Sequence, residues 1–180
     1  MNQKTVAKPR VRRVKMFVME VTAYHEAGHA FMAVYLGARV RSVTIDPDRD
    51  DGPRRQGDTA VEWNLVGLTE REIDERSVIV ALAGPAAEML YTGEPFHPGF
   101  VRECSGDWKA ATDAASKFLR KEEKRIAWLE EETKGLLRML NGPAHWAAIA
   151  ELADNLLAHE TLYAEQIEDI VRNWFPSTPD

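Results

Sequence analysis

A chain of 180 residues has room for one ordinary core and little more, and 44% apolar with 29% charged residues excludes a disordered or fibrous protein. A single cysteine, Cys104, excludes an intrachain disulfide, so the expected location is the cytoplasm. The net charge of -6 is unevenly spread: Lys4, Lys8, Arg10, Arg12, Arg13 and Lys15 all precede the first acid, Glu20, setting a basic arm at residues 1–19 apart from an acidic body at residues 20–180.

No aromatic residue interleaves the basic ones of the arm, so nucleic acid is not an expected partner. Its longest apolar run, Met16 to Met19, falls far short of the ~20 residues of a membrane helix, and no membrane span is expected. From Val11 to Met19 apolar and basic residues mix in a way that predicts a short strand or an ordered arm. Thr22 then reads as the N-cap of a helix running to about Leu36 and stopped by Gly37. That helix is apolar nearly all round, as a buried central helix is, so its few polar residues call for an explanation.

Arg39 to Ile45 and Asp58 to Val66 read as strands that pair into a small antiparallel sheet. Between them, Asp46 to Gly57 holds two prolines, two glycines and seven charged residues, a loop too polar to pack. Thr69 and Glu72 form a T-x-x-E capping box that opens a second helix to about Tyr91. After a loop from Thr92 to Glu103, Ser105 is placed to cap a third helix continuing from Asp107 towards Leu140. Two more helices are predicted at about Ala144 to Ala158 and Tyr163 to Trp174. The expected class is α+β, mainly helical, with the small sheet beside the first helix and a helical bundle at the C-terminal end.

His25-Glu26-Ala27-Gly28-His29 is an H-E-x-x-H pattern on the first predicted helix. Residues four apart share one helix face, so the two imidazoles can grip one zinc ion while Glu26 reaches the water to be activated. Two imidazoles and a carboxylate buried without an ion would each cost desolvation free energy. Gly28 fits the same picture: glycine inside a helix costs about 1 kcal/mol relative to alanine, and close approach of another element is a common reason to keep it. A third protein ligand is required, and spacing alone leaves Asp107, Glu88, His97, His145, His159 and Cys104 open.

Taken together, the chain resembles the peptidase domain of the FtsH family of ATP-dependent zinc metalloproteases. Ala23-Tyr24-His25-Glu26-Ala27-Gly28-His29-Ala30 is similar to that family's zinc helix, and Val43-Thr44-Ile45 with Gly57 resembles the strand and loop that follow. Leu82-Ala83-Gly84-Pro85-Ala86-Ala87-Glu88 resembles its second-helix motif, Ser105-Gly106-Asp107 with Ala111-Thr112 its aspartate segment, and Leu152 to Ile170 its closing helices.

The resemblance implies a zincin-like peptidase domain over residues 20–180, with one zinc held by His25, His29 and Asp107 and with Glu26 as catalytic base. It leaves Glu88 as alternative ligand or as the partner of a ligating histidine's second nitrogen. It also implies that an extended peptide substrate adds to an edge strand, here Asp58, Thr59, Ala60, Val61, Glu62 and Trp63. No G-x-x-x-x-G-K-[ST] loop occurs, so the expected activity is a zinc metalloendopeptidase acting without its own ATPase on flexible or unfolded polypeptides. A homo-oligomer and a separate delivery partner are consistent with that expectation. The competing expectation is a catalytically silent, zinc-stabilised interaction module, against which the intact Glu26 argues.

Overall fold

The computed structural model describes residues 9–46, 57–101 and 104–176, with backbone alone for residues 9–15. The polar loop at 47–56 and the first eight residues of the basic arm lie outside the described residues. The elements in order are α1 (Pro9–Tyr35), β1 (Arg39–Thr44), β2 (Asp58–Glu62), α2 (Glu70–Thr92), a 3-10 turn (Pro98–Phe100), α3 (Ser105–Ser116), α4 (Glu122–Leu140), α5 (Pro143–His159), β3 (Thr161–Tyr163) and α6 (Ala164–Trp174). The fold is mainly helical with one three-stranded antiparallel sheet. Among the described residues no helix is long and apolar enough to cross a membrane.

α1 is the central element, in contact with α2, α5, α6 and the sheet. Ala23, Ala27, Ala30, Phe31 and Ala33 are fully buried along it. It begins at Pro9, so the expected strand or arm at 11–19 is the first part of this helix, and Thr22 is interior to it instead of capping it. The Thr22 hydroxyl donates to the Val18 carbonyl, a bond available only because the helix continues upstream. Phe17, stacked at 6.5 Å on Tyr91 of α2, is one of the tertiary contacts that hold these turns in place.

The capping box at α2 is present as read: Thr69 Oγ1 accepts from the Glu72 N–H and the Glu72 carboxylate accepts from the Thr69 N–H. α1 and α2 approach so closely at Gly28 that a Cβ there would lie 2.6 Å from the Ala83 carbonyl oxygen and 2.7 Å from the Ala87 Cβ. The expectation that Gly28 admits a neighbouring element holds.

The sheet order is β2-β1-β3. A register shift between Val40 and Ser42 inserts Arg41 as an extra residue in β1. Residues three apart on a regular strand face opposite ways; the bulge lets Val40 and Val43 both be buried. β2 ends at Glu62, opposite Arg39, short of the expected Val66, because β1 has no further residue to pair with it. Trp63 therefore lies just past the edge strand. β3 is an element the sequence reading did not contain; it pairs Tyr163, Leu162 and Thr161 with Ser42, Val43 and Thr44.

The long third helix is two helices. α3 ends at Ser116, and α4 restarts at Glu122 with Glu122 and Glu123 in its first turn, favourably placed against the helix dipole. Phe118 packs edge-on to Trp128 at 5.3 Å, and Arg125 donates to the Leu119 carbonyl. The corner lets Ala111 and Ala115 of α3 and Leu129, Leu136 and Leu140 of α4 all be buried, with both helices against α2.

Candidate metal centre

His25 and His29 are one turn apart on α1 and turn their Nε2 atoms towards each other, 3.1 Å apart. Asp107, in the first turn of α3, brings Oδ2 to 3.1 Å from His25 Nε2 and Oδ1 to 3.4 Å from His29 Nε2. The outer nitrogens have partners of their own. His25 Nδ1 lies 2.9 Å from the Glu88 carboxylate, and His29 Nδ1 lies 2.8 Å from the Val80 carbonyl, both partners on α2.

These outer contacts fix the chemistry of the inner ones. A carbonyl and a carboxylate can only accept, so both Nδ1 atoms donate, and each neutral imidazole is left with a lone pair on Nε2. Two nitrogen lone pairs and a carboxylate then converge on one small space, an arrangement that repels itself unless a cation lies between. A tetrahedral zinc with ordinary ligand bonds sets its donor atoms about 3.3 Å apart, so this triad fits zinc. The same three residues form one of two groups of metal-donor side chains among the described residues; the other is His25, Glu88 and Cys104.

Without a cation, protons take that place. Burial pulls the His25 pKa down, but its hydrogen bonds to Asp107, Cys104 and Glu88 and the charge of Asp107 outweigh this and hold it well above the usual imidazole value. His29 is raised too: burial is again outweighed, chiefly by its hydrogen bond to Asp107 and by the charge of Asp107. Burial would raise the Asp107 pKa, yet its hydrogen bonds to both imidazoles hold it well below the ordinary carboxylate value. Burial pushes the Cys104 thiol up, which keeps it a donor, and its S–H points at Glu88 Oε2 at 3.6 Å.

Glu26 is 7% exposed and accepts a 2.8 Å hydrogen bond on Oε2 from the hydroxyl of Thr59 in β2. Two glycines make room for the two halves of the site. A Cβ on Gly57 would lie 2.6 Å from Glu26 Oε1, and a Cβ on Gly84 would lie 2.2 Å from His29 Nε2. The sequence places Gly84 in the second-helix motif but assigns no role in the site to it or to the Val80 carbonyl. The available signal was Gly84-Pro85 inside an otherwise strong helix pattern, two residues a helix keeps only for a reason.

The remaining candidates lie elsewhere. His97 caps the 3-10 turn by accepting from the Gly99 N–H and packs on Trp108; His145 sits among Phe31, Tyr35 and Phe175; His159 is exposed at the end of α5. Of the expected edge strand, Asp58 to Glu62 form β2, which is an outer strand of the sheet and starts beside Glu26. No protein-family model matches the chain, and no curated protein matches it either.

Proposed function

We propose that the chain is a zinc-dependent endopeptidase of zincin-like architecture, related to the FtsH peptidase domains, that hydrolyses peptide bonds in flexible or unfolded polypeptides. The observation that carries this reading is the convergence of three acceptor atoms from His25, His29 and Asp107, next to a buried carboxylate on the same helix. His25, His29 and Asp107 would hold one zinc ion per chain, and Glu88 and Val80 would fix the tautomers that present both Nε2 lone pairs to it. When bound, zinc would polarise the scissile carbonyl and lower the pKa of water at the open fourth position.

The chain's own groups supply the proton traffic. Glu26 removes a proton from the attacking water and returns it to the departing amine, which otherwise leaves as a poor leaving group. β2 offers its outer backbone edge to an extended peptide, so recognition rests on main-chain hydrogen bonds and the sequence preference is broad. A chain gripped in this way must first be extended, which favours loose termini and unfolded segments as substrates.

The test is metal content together with cleavage of casein. The expected protein holds one zinc per chain and loses cleavage with a chelator. His25→Ala loses both metal and cleavage, whereas Glu26→Gln keeps the metal and loses cleavage by about a hundredfold or more. Protein that retains no divalent metal after purification with ample zinc, or a Glu26→Gln variant as active as the parent, removes the basis of the proposal.

A further inference from the structure

Glu26 has a long side chain with several rotatable bonds, and a base helps only when its free oxygen is held within hydrogen-bond reach of the water. Helix α1 fixes its Cα but not its carboxylate. Two neighbours from the start of β2 do that. Thr59 Oγ1 donates to Oε2 at 2.8 Å, and the backbone at Gly57 lies flush against the other side, where a Cβ would come within 2.6 Å of both Cγ and Oε1. The clamp is itself held in register, since Thr59 pairs with Val43 and Asp58 with Thr44 of the central strand.

We infer that Thr59 is a positioning residue for the base: its hydroxyl holds Oε2 and so fixes the direction in which the carboxylate faces, an inference that rests on the assignment of Glu26 proposed above. Thr59 also belongs to the strand proposed to receive the peptide. One short strand thus sets both the aim of the base and the register of the substrate.

A purely structural role and a positioning role make opposite demands on this residue. Valine copies the shape of threonine and suits a strand at least as well, while serine keeps the hydroxyl and suits a strand less well. Positioning therefore ranks Ser above Val in turnover; strand formation ranks Val at or above Ser. The experiment measures kcat, KM and bound zinc for Thr59→Val, Thr59→Ser and Thr59→Ala on an unstructured peptide.

The expected result is about a tenfold lower kcat in Val and Ala, with KM and zinc content unchanged, and near-parental kcat in Ser. Parental kcat in Val, or a Ser variant worse than Val, overturns the inference. Glu26→Gln measured alongside separates the two ways of failing. Cleavage by Glu26→Gln overturns the assignment of the base and this inference with it; inactive Glu26→Gln beside fully active Thr59→Val overturns this inference alone.

Discussion

Gly84→Ala tests the geometry of the proposed metal centre at its tightest point. The new methyl carbon would lie 2.2 Å from His29 Nε2, 2.5 Å from Cε1 and 2.7 Å from Cδ2, against an ordinary contact of about 3.5 Å. The ring must therefore retreat by about 1.3 Å, several times the ~0.2 Å within which metal–ligand distances are held. His29 cannot turn away freely, because its Nδ1 is tied to the Val80 carbonyl and the residue is buried. A shift of this size takes one ligand out of reach and lowers zinc affinity by about a hundredfold or more, the upper range for disturbing even an outer partner of a metal ligand. The fold feels two opposed effects: alanine in place of glycine within α2 favours the helix by about 1 kcal/mol, while displacing the buried ring costs about 1–3 kcal/mol. The assay is chelator competition for zinc combined with thermal melting with and without metal. The metal-free variant is expected to melt at or somewhat below the parental temperature, while the extra stability expected from zinc disappears. A Gly84→Ala protein that binds zinc as tightly as the parent refutes the reasoning.

Glu88→Gln removes the charge that orients His25 and is expected to weaken zinc binding about tenfold without unfolding the protein, measured by the same competition. Gly28→Ala places a methyl 2.6 Å from a backbone oxygen that cannot swing away, so α1 and α2 must separate; a loss of about 1–3 kcal/mol in denaturant melts is expected. The metal-free protein should also depend on pH in a definite direction. The raised pKa of His25 means its contribution to stability is complete below the unfolded value of about 6.5 and is lost as pH rises through the folded value, so chelator-treated protein should melt at lower temperature on going from slightly acid to alkaline solution. Bound zinc takes the proton's place, and zinc-loaded protein should not show that fall. Melting that is independent of pH above 6.5 without metal would count against the inward-facing arrangement of His25.

Much of this site is legible in the sequence because helix periodicity alone puts His25 and His29 on one face, and because Gly28 and the Thr69 and Glu72 box are local signals with local causes. Asp107 was reached through resemblance, since no spacing rule connects α3 to α1. What the sequence hid depends on contacts between distant segments. β3 is too short to carry a pattern of its own and exists because β1 has an unpaired edge to offer. The break between α3 and α4 contains neither glycine nor proline; the packing of Phe118 on Trp128 makes the turn. The start of α1 reads as strand-like from the mix of apolar and basic residues between Val11 and Met19, but that segment continues a helix already stabilised by its buried half, and tertiary context overrides propensity.

The pairing of β3 with β1 has a bearing on how the protein is made. Thr44 and Thr161 bond side chain to side chain at 2.8 Å, and the Ile45 N–H donates to the Glu160 carbonyl, so the strand that aligns β2 beside the base is completed by residues well over a hundred positions further along. On the ribosome, the sheet stays open on one side until residues 161–163 have emerged. A nascent molecule with α1 already formed would still lack the third strand of its sheet, so the support behind β1, and through it the placement of Thr59 against Glu26, is complete only once synthesis has passed that point.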